Sequence, residues 1–375
     1  MRRFFKNKLA KRVAIISSTF TDERPGGVPT YVQGRTFYLS KKCKVLVMAL
    51  GKKEKTHIGE NIYKVGLGSS KKMRTKFFIY WLKIFVEIIK FRPDHIEIHN
   101  IPVGFPLFFL FKNTCFFHGP AIYEYKAEKK GKLYILIVSL LEHLTLFMSN
   151  KVNIDSVAFK DLIYKKYSYL TNKGLLIKSP KLLIPNNKNL EIDNLKRIFE
   201  ENHTNGKKIL NLICVRRLVA RTGVKELVQS YSFCLKNKLM KYPSKLIIIG
   251  EGPQLKNIQE IISKENIADF IDIKGKISSK ERDEYYAKAD WNIVPTQALE
   301  GFGLVVIEAA LFGCPSLVTN VDALPHVLKM LNNQGLLCNR DNSGIIQGLS
   351  NLEPYTFNQR SSLSKLTQKK FSIKR

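Results

Sequence analysis

The sequence predicts an α/β protein built on two parallel sheets, each with helices on both faces. Short apolar runs alternate with helical patterns in the first third of the chain, and the alternation starts again after residue 205. Alternation of this kind is typical of parallel sheets covered by helices. The chain has 375 residues, which is more than one average domain and favours two. The pattern and the length together predict two Rossmann-like domains.

Each apolar run is predicted to be a buried strand, because polar residues or a glycine or proline follow it. The predicted strands of the first half are Val13–Ile16, Val45–Met48, Ile96–Ile98 and Cys115–Phe117. Those of the second half are Ile209–Val215, Leu246–Ile249, Phe270–Ile273, Trp291–Val294 and Ser316–Val318. The polar stretch from Pro185 to Lys208 is the best candidate for a domain boundary. We therefore place the domains at residues 1–190 and 191–355, followed by a short C-terminal tail at residues 356–375.

Composition excludes several classes of protein. Hydrophobic residues make up 45% and charged residues 25%, which is unlike a disordered, collagenous or disulfide-scaffold protein. No uninterrupted apolar run is long enough for a membrane-spanning helix, and Lys6 and Lys8 leave no room for the apolar core of a signal peptide. The six cysteines stand singly, without the spacing of a zinc or redox site. We therefore expect a cytoplasmic protein.

The net charge is strongly positive. The chain has 62 Lys and Arg against 31 Asp and Glu, a formal net charge of +31. Such a charge attracts nucleic acid, anionic lipid headgroups or phosphorylated substrates. A lysine-rich genome is the alternative explanation, since the lysines are spread over the whole chain. Without a zinc finger, a basic zipper or an Arg/Gly-rich segment, the charge alone does not predict nucleic-acid binding.

Four segments follow predicted strands, where ligands of open α/β sheets bind. Gly26-Gly27 follows the first strand and His118 follows the run at Cys115–Phe117, whereas Arg216-Arg217 ends the first strand of the second half. Each has an alternative interpretation: a plain turn, a core histidine and surface arginines. The fourth segment begins at Glu300, between the Trp291 strand and the next helix.

The strongest signal is the pair Glu300 and Glu308 with a Gly-Phe-Gly sequence directly after Glu300. Glycines that open a helix let a ligand approach backbone N–H groups without intrahelical partners, and the helix dipole favours phosphate there. Glu308 then lies in the first turns of that helix, where its carboxylate can accept hydrogen bonds from two vicinal hydroxyls. Because a buried carboxylate is costly when it is alone, we expect a ligand or a partner at Glu308.

Residues 300–310, with Gly313-Cys314-Pro315 after them, resemble the signature of family 4 retaining glycosyltransferases. That family has the GT-B fold, in which two Rossmann-like domains face each other across a cleft that holds the active site. Further segments that resemble the family are Pro25–Val28, Asp94–Asn100, Pro185-Asn186, Val215–Gly223 and Gly250–Pro253. The stretches His118–Pro120 and Arg216–Val219 are closest to the members that build bacterial surface polysaccharides.

The resemblance implies a role for each matching residue. Glu308 would hold the ribose hydroxyls of the donor, Glu300 would contact the transferred sugar, and His118 would lie beside that sugar. Arg217 would bind the pyrophosphate, and Arg221 would take the place of a lysine that many members carry. The residues whose backbone would approach the sugar or the pyrophosphate are Gly26, Gly27, Phe302, Gly303 and Leu304.

The same resemblance implies the reaction. The N-terminal domain would bind the acceptor, and the C-terminal domain would bind a nucleotide sugar. A UDP- or GDP-sugar is the expected donor, and no further cofactor is expected. Transfer to a lipid-linked or oligosaccharide acceptor would retain the anomeric configuration and serve capsule, O-antigen, lipopolysaccharide or exopolysaccharide synthesis. The chain has no Asp-x-Asp pair and no His/Cys cluster with ligand spacing, so we expect no metal. Another GT-B enzyme such as an epimerase, an inverting transferase and a non-catalytic binding protein stay open as alternatives.

Two departures from the family affect these expectations. The family's paired glycines and Pro-Glu are replaced by the stretch from Val321 to His326. Phe371–Ile373 resembles the start of the family's last helix, which crosses back to the first domain, so we expect that helix to be missing. Closure of the two domains would then be weaker, or the protein would be truncated and poorly active.

Lysines at positions 76, 83 and 90 fall on one helical stripe of an otherwise apolar and aromatic segment, Lys71–Lys90. A buried helix with a solvated lysine stripe explains this pattern. An interfacial helix on an anionic membrane explains it as well, and places the protein on the inner face of the plasma membrane. The apolar segment Leu133–Met148 is too short to span a bilayer and is predicted to be core.

Overall fold

The computed structural model describes residues 11–17, 20, 27–50, 52, 54–68, 73–99, 111–119, 122, 131–177, 180, 182–184, 192–203 and 209–374. The chain divides into two compact units, one of Met1–Leu183 with Arg375 and one of Ile184–Lys374. The division falls inside the last strand before the polar stretch in which we expected a boundary. Each unit is an α/β domain, as the alternating pattern predicts.

The first unit contains an eight-stranded sheet in the order β3-β4-β2-β1-β5-β6-β7-β8. Its strands are β1 (Arg12–Ser17), β2 (Lys44–Ala49), β3 (Lys55–Gly59), β4 (Ile62–Gly66), β5 (His95–His99), β6 (Asn113–Phe117), β7 (Lys151–Ile154) and β8 (Leu175–Ile177). Only β3 pairs antiparallel, as an edge strand on β4. The other pairs are parallel and carry the buried apolar runs that the sequence shows.

Helices cover both faces of this sheet. They are α1 (Gly27–Ser40), α2 (Met73–Phe91), α3 (Lys132–Met148), α4 (Ala158–Lys166) and α5 (Leu170–Lys173). Val13 and Ile15 of β1 pack in one cluster with Val32 of α1. Ala14 and Ile16 point to the opposite face, where α2 packs against them. Because successive side chains of a strand alternate in direction, both faces of β1 are buried.

The second unit contains a parallel sheet in the order β12-β11-β10-β13-β14-β15. Its strands are β10 (Leu210–Val215), β11 (Ser244–Ile249), β12 (Ile271–Gly275), β13 (Trp291–Val294), β14 (Ser316–Thr319) and β15 (Gly335–Cys338), while the short strands β9 (Leu182–Ile184) and β16 (Ser372–Lys374) lie outside it. Its helices are α6 (Ile192–His203), α7 (Val224–Lys236), α8 (Leu255–Lys264), α9 (Ser279–Lys288), α10 (Leu304–Leu311), α11 (Leu324–Met330), α12 (Asn342–Ser350) and α13 (Phe357–Phe371).

The predicted strands all form, with small shifts of their ends. Phe270 closes a short 3-10 helix, and β12 begins one residue later. The prediction that Leu133–Met148 is core is wrong for one of its faces, since Leu133, Leu136 and Leu140 are 71%, 66% and 59% exposed. The segment that we expected to be a short tail contains α13, which packs in the second unit with Leu363 and Phe371 buried.

Candidate functional site

The strand order of the second sheet creates a natural place for a ligand. From the central strand β10 the chain moves through β11 to β12 on one side, and then returns to build β13, β14 and β15 on the other. The loops after β10 and β13 therefore leave the sheet in opposite directions, and the gap between them is where open α/β sheets bind ligands. Arg216 and Arg217 follow β10, and Glu300 lies in the loop after β13.

A buried ion pair joins these two loops. The Arg216 guanidinium donates to Oε2 of Glu300 at 2.6 Å, and both side chains are largely buried, at 7% and 12% exposure. The Thr296 hydroxyl donates to the same oxygen at 3.1 Å. Burial opposes the charge of Glu300, but Arg216 more than offsets it, so the pKa of Glu300 lies below its usual value. The glutamate is therefore a fixed anion at the end of β13.

The backbone around Glu300 is held as firmly as its side chain. Its N–H donates to Asp322 Oδ2 at 2.9 Å, and the residue before it, Leu299, has a φ of 60°. The Arg221 guanidinium donates to the Leu299 carbonyl at 3.1 Å. Positive φ is uncommon for a residue with a side chain and marks a conformation that the surroundings impose. Arg221 thus contributes to the shape of the loop that carries Glu300.

Helix α10 starts directly after this loop. Gly303 precedes its first residue with a φ of 85°, a left-handed conformation in which glycine is favoured. Phe302 is buried with its ring centroid 6.2 Å from that of Phe371, which anchors the helix start to α13. The first N–H groups of a helix have no intrahelical acceptor, so the turn at Leu304 presents donors of the kind that bind phosphate or hydroxyl oxygens.

Glu308, one turn into α10, is buried at 7% exposure and has a cationic partner. Arg282 of α9 places a guanidinium nitrogen 3.5 Å from Glu308 Oε1 and also binds Asp283 at 2.8 Å. Burial lowers the pKa of Arg282, but the charges of Glu308 and Asp283 outweigh it and raise that pKa. The partner that a buried carboxylate requires is therefore present within the chain itself.

The turn after β10 is packed against the end of β13. Gly223 has a φ of 74°, and a Cβ there would lie 1.8 Å from the Pro295 carbonyl oxygen. Arg217, in the same turn, is exposed, whereas its neighbour Arg216 is buried. The Thr222 hydroxyl donates to the Arg217 carbonyl at 2.6 Å, which fixes the backbone that carries this arginine. Arg217 therefore projects to the surface from a rigid turn.

An open polar groove of about 420 Å³ adjoins this loop cluster. It lies beyond the carboxyl ends of β14 and β15 and is lined by Asn320, Val321, Asp322, Asn339, Arg340 and Asp341. Asp322 connects the groove to the backbone of Glu300. The stretch from Val321 to His326, where the resemblance implied paired glycines, contributes Val321 and Asp322 to the lining.

In the first unit, His118 belongs to a buried chain of charged and polar side chains. Arg35 binds Glu97 through two hydrogen bonds of 2.6 and 2.9 Å. Glu97 Oε2 lies 3.8 Å from His99 Nε2, His99 Nδ1 lies 3.1 Å from His118 Nε2, and His118 Nδ1 lies 2.8 Å from Asp155 Oδ2. Both ring nitrogens of His118 thus have partners inside the unit. Its side chain is 9% exposed.

With both imidazoles neutral, the two rings supply two hydrogens to the three contacts of this chain. In that state the two short contacts each take one, with His118 donating to Asp155 and His99 donating to His118. His99 Nε2 is then left with no hydrogen-bond partner among the described residues, next to Glu97. Burial lowers the pKa of His99 to about 4. Burial raises the pKa of Glu97, but the two hydrogen bonds and the positive charge of Arg35 oppose burial, and that pKa is about 2.

The structure places the predicted residues in two groups. Most lie in the second unit around the ends of β10 and β13, whereas Gly27 and His118 lie in the first unit, and Gly27 is the first residue of α1. Gly26 lies outside the described residues. Among the residues that the structure describes, no group of three or more potential ligands is placed to hold a metal ion.

The sequence does not predict which residues pair with the predicted site residues. Arg216 stands beside Arg217 in the sequence, but no pattern connects it with Glu300. Arg282 carries no motif, and only the buried carboxylate of Glu308 implied that such a residue exists. The network of His118 had a visible signal, because Glu97 and His99 alternate with isoleucines in a strand that is buried on both faces.

Comparisons with known proteins agree with this architecture. Residues 195–351 match the family model described as glycosyl transferases group 1. An uncharacterized glycosyltransferase of Haemophilus influenzae is 28% identical over 249 residues, which are 64% of this chain and 62% of that protein. A GDP-mannose-dependent alpha-(1-6)-phosphatidylinositol monomannoside mannosyltransferase of Mycobacterium tuberculosis is 26% identical over 132 residues, which are 34% of this chain and 33% of that protein. The alignments thus span less than two thirds of either relative.

The fold is similar over nearly the whole chain to solved structures. The Anabaena protein HepE, in complex with UDP and glucose, matches with a TM-score of 0.65 at 12% identity, over 96% of both chains. The chain therefore has the GT-B fold, which confirms the predicted fold class. Residues 195–351, which match the glycosyl transferases group 1 model, lie within its second unit.

Proposed function

From the glycosyl transferases group 1 domain at residues 195–351, we propose that the chain transfers a sugar from a nucleotide diphosphate sugar to an acceptor. The acceptor is lipid-linked or an oligosaccharide, the anomeric configuration is retained, and the product is a cell-surface polysaccharide. The observation that carries the proposal is the cluster at the switch point of the second sheet. There the Arg216–Glu300 ion pair, the start of α10 and the buried Glu308 lie on adjoining segments.

In this proposal the second unit binds the donor. Glu308 accepts hydrogen bonds from the ribose hydroxyls, with Arg282 beside it to hold the carboxylate in place. Glu300 orients the transferred sugar, and the N–H groups of Phe302, Gly303 and Leu304 bind sugar and pyrophosphate oxygens. The donor is a UDP- or GDP-sugar, since a neighbour in fold binds UDP and a relative is named as GDP-mannose-dependent.

The chemical step depends on the leaving diphosphate. As the glycosidic bond breaks, negative charge builds on the phosphate oxygens, and cations placed there beforehand stabilise the transition state. Arg217 and Arg221 supply this charge in our proposal, and a metal is not needed. One such donor is worth roughly 3–4 kcal/mol of the barrier. We assign no carboxylate as a covalent nucleophile. The acceptor hydroxyl attacks the anomeric carbon on the same face from which the nucleotide diphosphate leaves, and the leaving phosphate accepts the hydroxyl proton.

The first unit binds the acceptor in this proposal. Gly26 and Gly27 let the pyrophosphate approach the start of α1, and His118 lies beside the transferred sugar. Because His118 already binds His99 and Asp155, its ring is oriented before any substrate arrives. A lipid-linked acceptor places the enzyme at the inner face of the plasma membrane, which agrees with a relative that is named for a phosphatidylinositol mannoside.

The donor site is tested by thermal unfolding of the full chain with UDP-, GDP-, ADP- and dTDP-sugars. A ligand at about a hundred times its dissociation constant adds about 2.7 kcal/mol to the free energy of unfolding. We expect one nucleotide class to stabilise the wild type and to lose this effect in Glu308→Gln. The control is Glu353→Gln, which changes an exposed carboxylate of the same unit.

Transfer is then measured with that donor and lipid-linked saccharides, and the anomeric configuration of the product is read by NMR. A folded wild type that no sugar nucleotide stabilises would contradict the donor site. Stabilisation without any transfer would favour a non-catalytic binding protein, and an inverted product would exclude the retaining mechanism.

A further inference from the structure

Two helices on one face of the first unit expose an unusual amount of apolar surface. Helix α2 exposes Ile79, Leu82, Val86 and Ile89, and helix α3 exposes Leu133, Leu136, Ile137, Leu140 and Phe147, each between 39% and 71%. We call these nine side chains the apolar surface. Large contiguous apolar patches are rare on monomeric soluble proteins and mark sites of association.

The spacing shows that each helix contributes one continuous stripe. Positions 79, 82, 86 and 89 recur every three or four residues, and so do positions 133, 136, 137 and 140, with position 147 two turns further along the same face. The opposite face of each helix is buried against the sheet, through Ile84 and Ile88 in α2 and Leu146 in α3. Met148, at the end of α3, packs into the same core as these isoleucines. Both stripes therefore point away from the same face of the sheet.

Charge distinguishes between the partners that this surface can take. Lys83 and Lys90 lie at the edge of the α2 stripe and Lys132 at the edge of the α3 stripe, and none of the three has an ion-pair partner among the described residues. The acidic residues in the described part of the two helices are already paired, Glu87 with Lys55 and Glu142 with Lys166. The apolar surface is therefore bordered by positive charge without exposed negative charge to balance it.

We propose that the apolar surface docks this chain on an anionic lipid bilayer, with α2 and α3 lying in the plane of the interface. Apolar side chains enter the boundary between headgroups and acyl chains, while lysines beside them contact anionic headgroups. A symmetric dimer through the same surface would bring the lysines of both copies into one interface, with no exposed acidic side chain in the described part of the two helices to pair them, so repulsion opposes that alternative. The reason for membrane docking rests on the proposed function, since a lipid-linked acceptor lies in such a bilayer.

The test is co-sedimentation of the full chain with vesicles of phosphatidylcholine, with or without phosphatidylglycerol. We expect binding to the anionic vesicles that weakens as salt is added. The double variant Leu136→Glu with Leu140→Glu should lose affinity by at least about tenfold. Its matched control is Phe233→Glu with Leu239→Glu, two exposed apolar residues of the second unit, and should change affinity less than about twofold. Lys132→Glu should reduce affinity by about fivefold or more.

Three outcomes would overturn the proposal: no binding of the wild type to anionic vesicles, equal loss in both double variants, or a wild-type dimer that the α3 variant splits into monomers. Circular dichroism shows whether each variant is folded. The nucleotide-sugar thermal shift, which reads the second unit, keeps the two proposals apart. A variant that no longer binds vesicles but is still stabilised by the nucleotide sugar supports the docking surface. Vesicle binding by a chain that no sugar nucleotide stabilises contradicts the donor site alone.

Discussion

The two units bury charge in different parts of their sheets. In the second unit, the ion pair of Arg216 and Glu300 joins two loops beyond the strand ends. In the first unit, Glu97 and His99 lie within the central strand β5 itself, and both are nearly inaccessible. A charge held in a loop can exchange its partner for a ligand without disturbing the sheet. A charge within a strand is part of the core, so its network is expected to serve stability and geometry first.

This comparison can be tested unit by unit, because the chain has two tryptophans, one in each unit. Trp81 lies on α2, and Trp291 is the first residue of β13. Replacing Trp291 with phenylalanine leaves the fluorescence of Trp81 to report the first unit, and replacing Trp81 leaves Trp291 to report the second. The predictions below use these two backgrounds.

The largest effect is expected from Arg35→Met in the first unit. The substitution leaves Glu97, which is 3% exposed, without its bidentate partner. Removing one member of a buried pair costs about 3–5 kcal/mol of the free energy of unfolding. Urea unfolding followed by Trp81 measures this loss. The control is Lys55→Met, whose exposed pair with Glu87 is worth less than about 1 kcal/mol. If both variants lost the same free energy of unfolding, the buried pair within the strand would be no more important for stability than the exposed pair on the surface.

Arg216→Met in the second unit should cost somewhat less stability, about 2–4 kcal/mol, because its partner Glu300 is more exposed than Glu97. It should also lower the affinity for the nucleotide sugar, since Glu300 then loses its fixed position. Urea unfolding followed by Trp291 and calorimetric titration with the donor measure the two effects. Arg35→Met should lower donor affinity much less, because Arg35 reaches the donor only through the network of His118. A donor affinity that falls equally in both variants would contradict the division of roles.

Gly223→Ala should destabilise the second unit by about 2–3 kcal/mol. Its φ of 74° is unfavourable for alanine, and the new Cβ would overlap the Pro295 carbonyl oxygen. The comparison position in the same unit is Gly275, with a φ of 65° and open space around a Cβ. Gly275→Ala should cost about 1 kcal/mol, since only the backbone conformation opposes it. Urea unfolding followed by Trp291 compares the two variants, and equal costs would mean that the turn can move away from β13.

The last expected effect is a pH dependence of the first unit between pH 6.5 and 4, which is gradual rather than a single step. The pKa of His99 is about 4 in the folded chain and about 6.5 when unfolded, so the unfolded chain binds more protons between these values. The free energy of unfolding should therefore fall as pH falls from 6.5 to 4, by up to about 1.4 kcal/mol per pH unit. The lowered pKa of Glu97 continues the loss toward about 2.

His99→Asn should flatten this pH dependence when unfolding is followed by Trp81. His57→Asn, which alters an exposed histidine of the same unit, should leave the slope as in the wild type. If the two variants keep the same slope, His99 is not the group that titrates.

The fold could be predicted largely because strands of parallel sheets are buried on both faces and therefore read as continuous apolar runs. The edge pair β3 and β4 was missed since its first strand is mostly exposed and has no such run. Helix α3 was assigned to the core because it is apolar almost all round, and a pattern without a polar face does not reveal which face meets the sheet.

The candidate site divides in the same way. Glu300, Glu308 and Gly303 lie where a short motif shapes a loop and a helix start, so their positions could be predicted. Their partners Arg216 and Arg282 come from segments distant in sequence, and only the folded sheet brings them together. Pairings of this kind depend on tertiary geometry and leave no local pattern.

The two neighbouring imidazoles of the first unit have a consequence for their tautomers. Since one hydrogen lies between His99 and His118, the ring nitrogen that carries it in one residue determines which nitrogen carries it in the other. With both rings neutral, each carries its hydrogen on Nδ1. If His99 instead carried its hydrogen on Nε2 toward Glu97, His118 would need a hydrogen on Nε2 to bond His99 and, while neutral, would have none on Nδ1 for Asp155. The protonation of one ring therefore constrains that of the other, and the nitrogen-15 chemical shifts of the two residues should change together when a ligand binds.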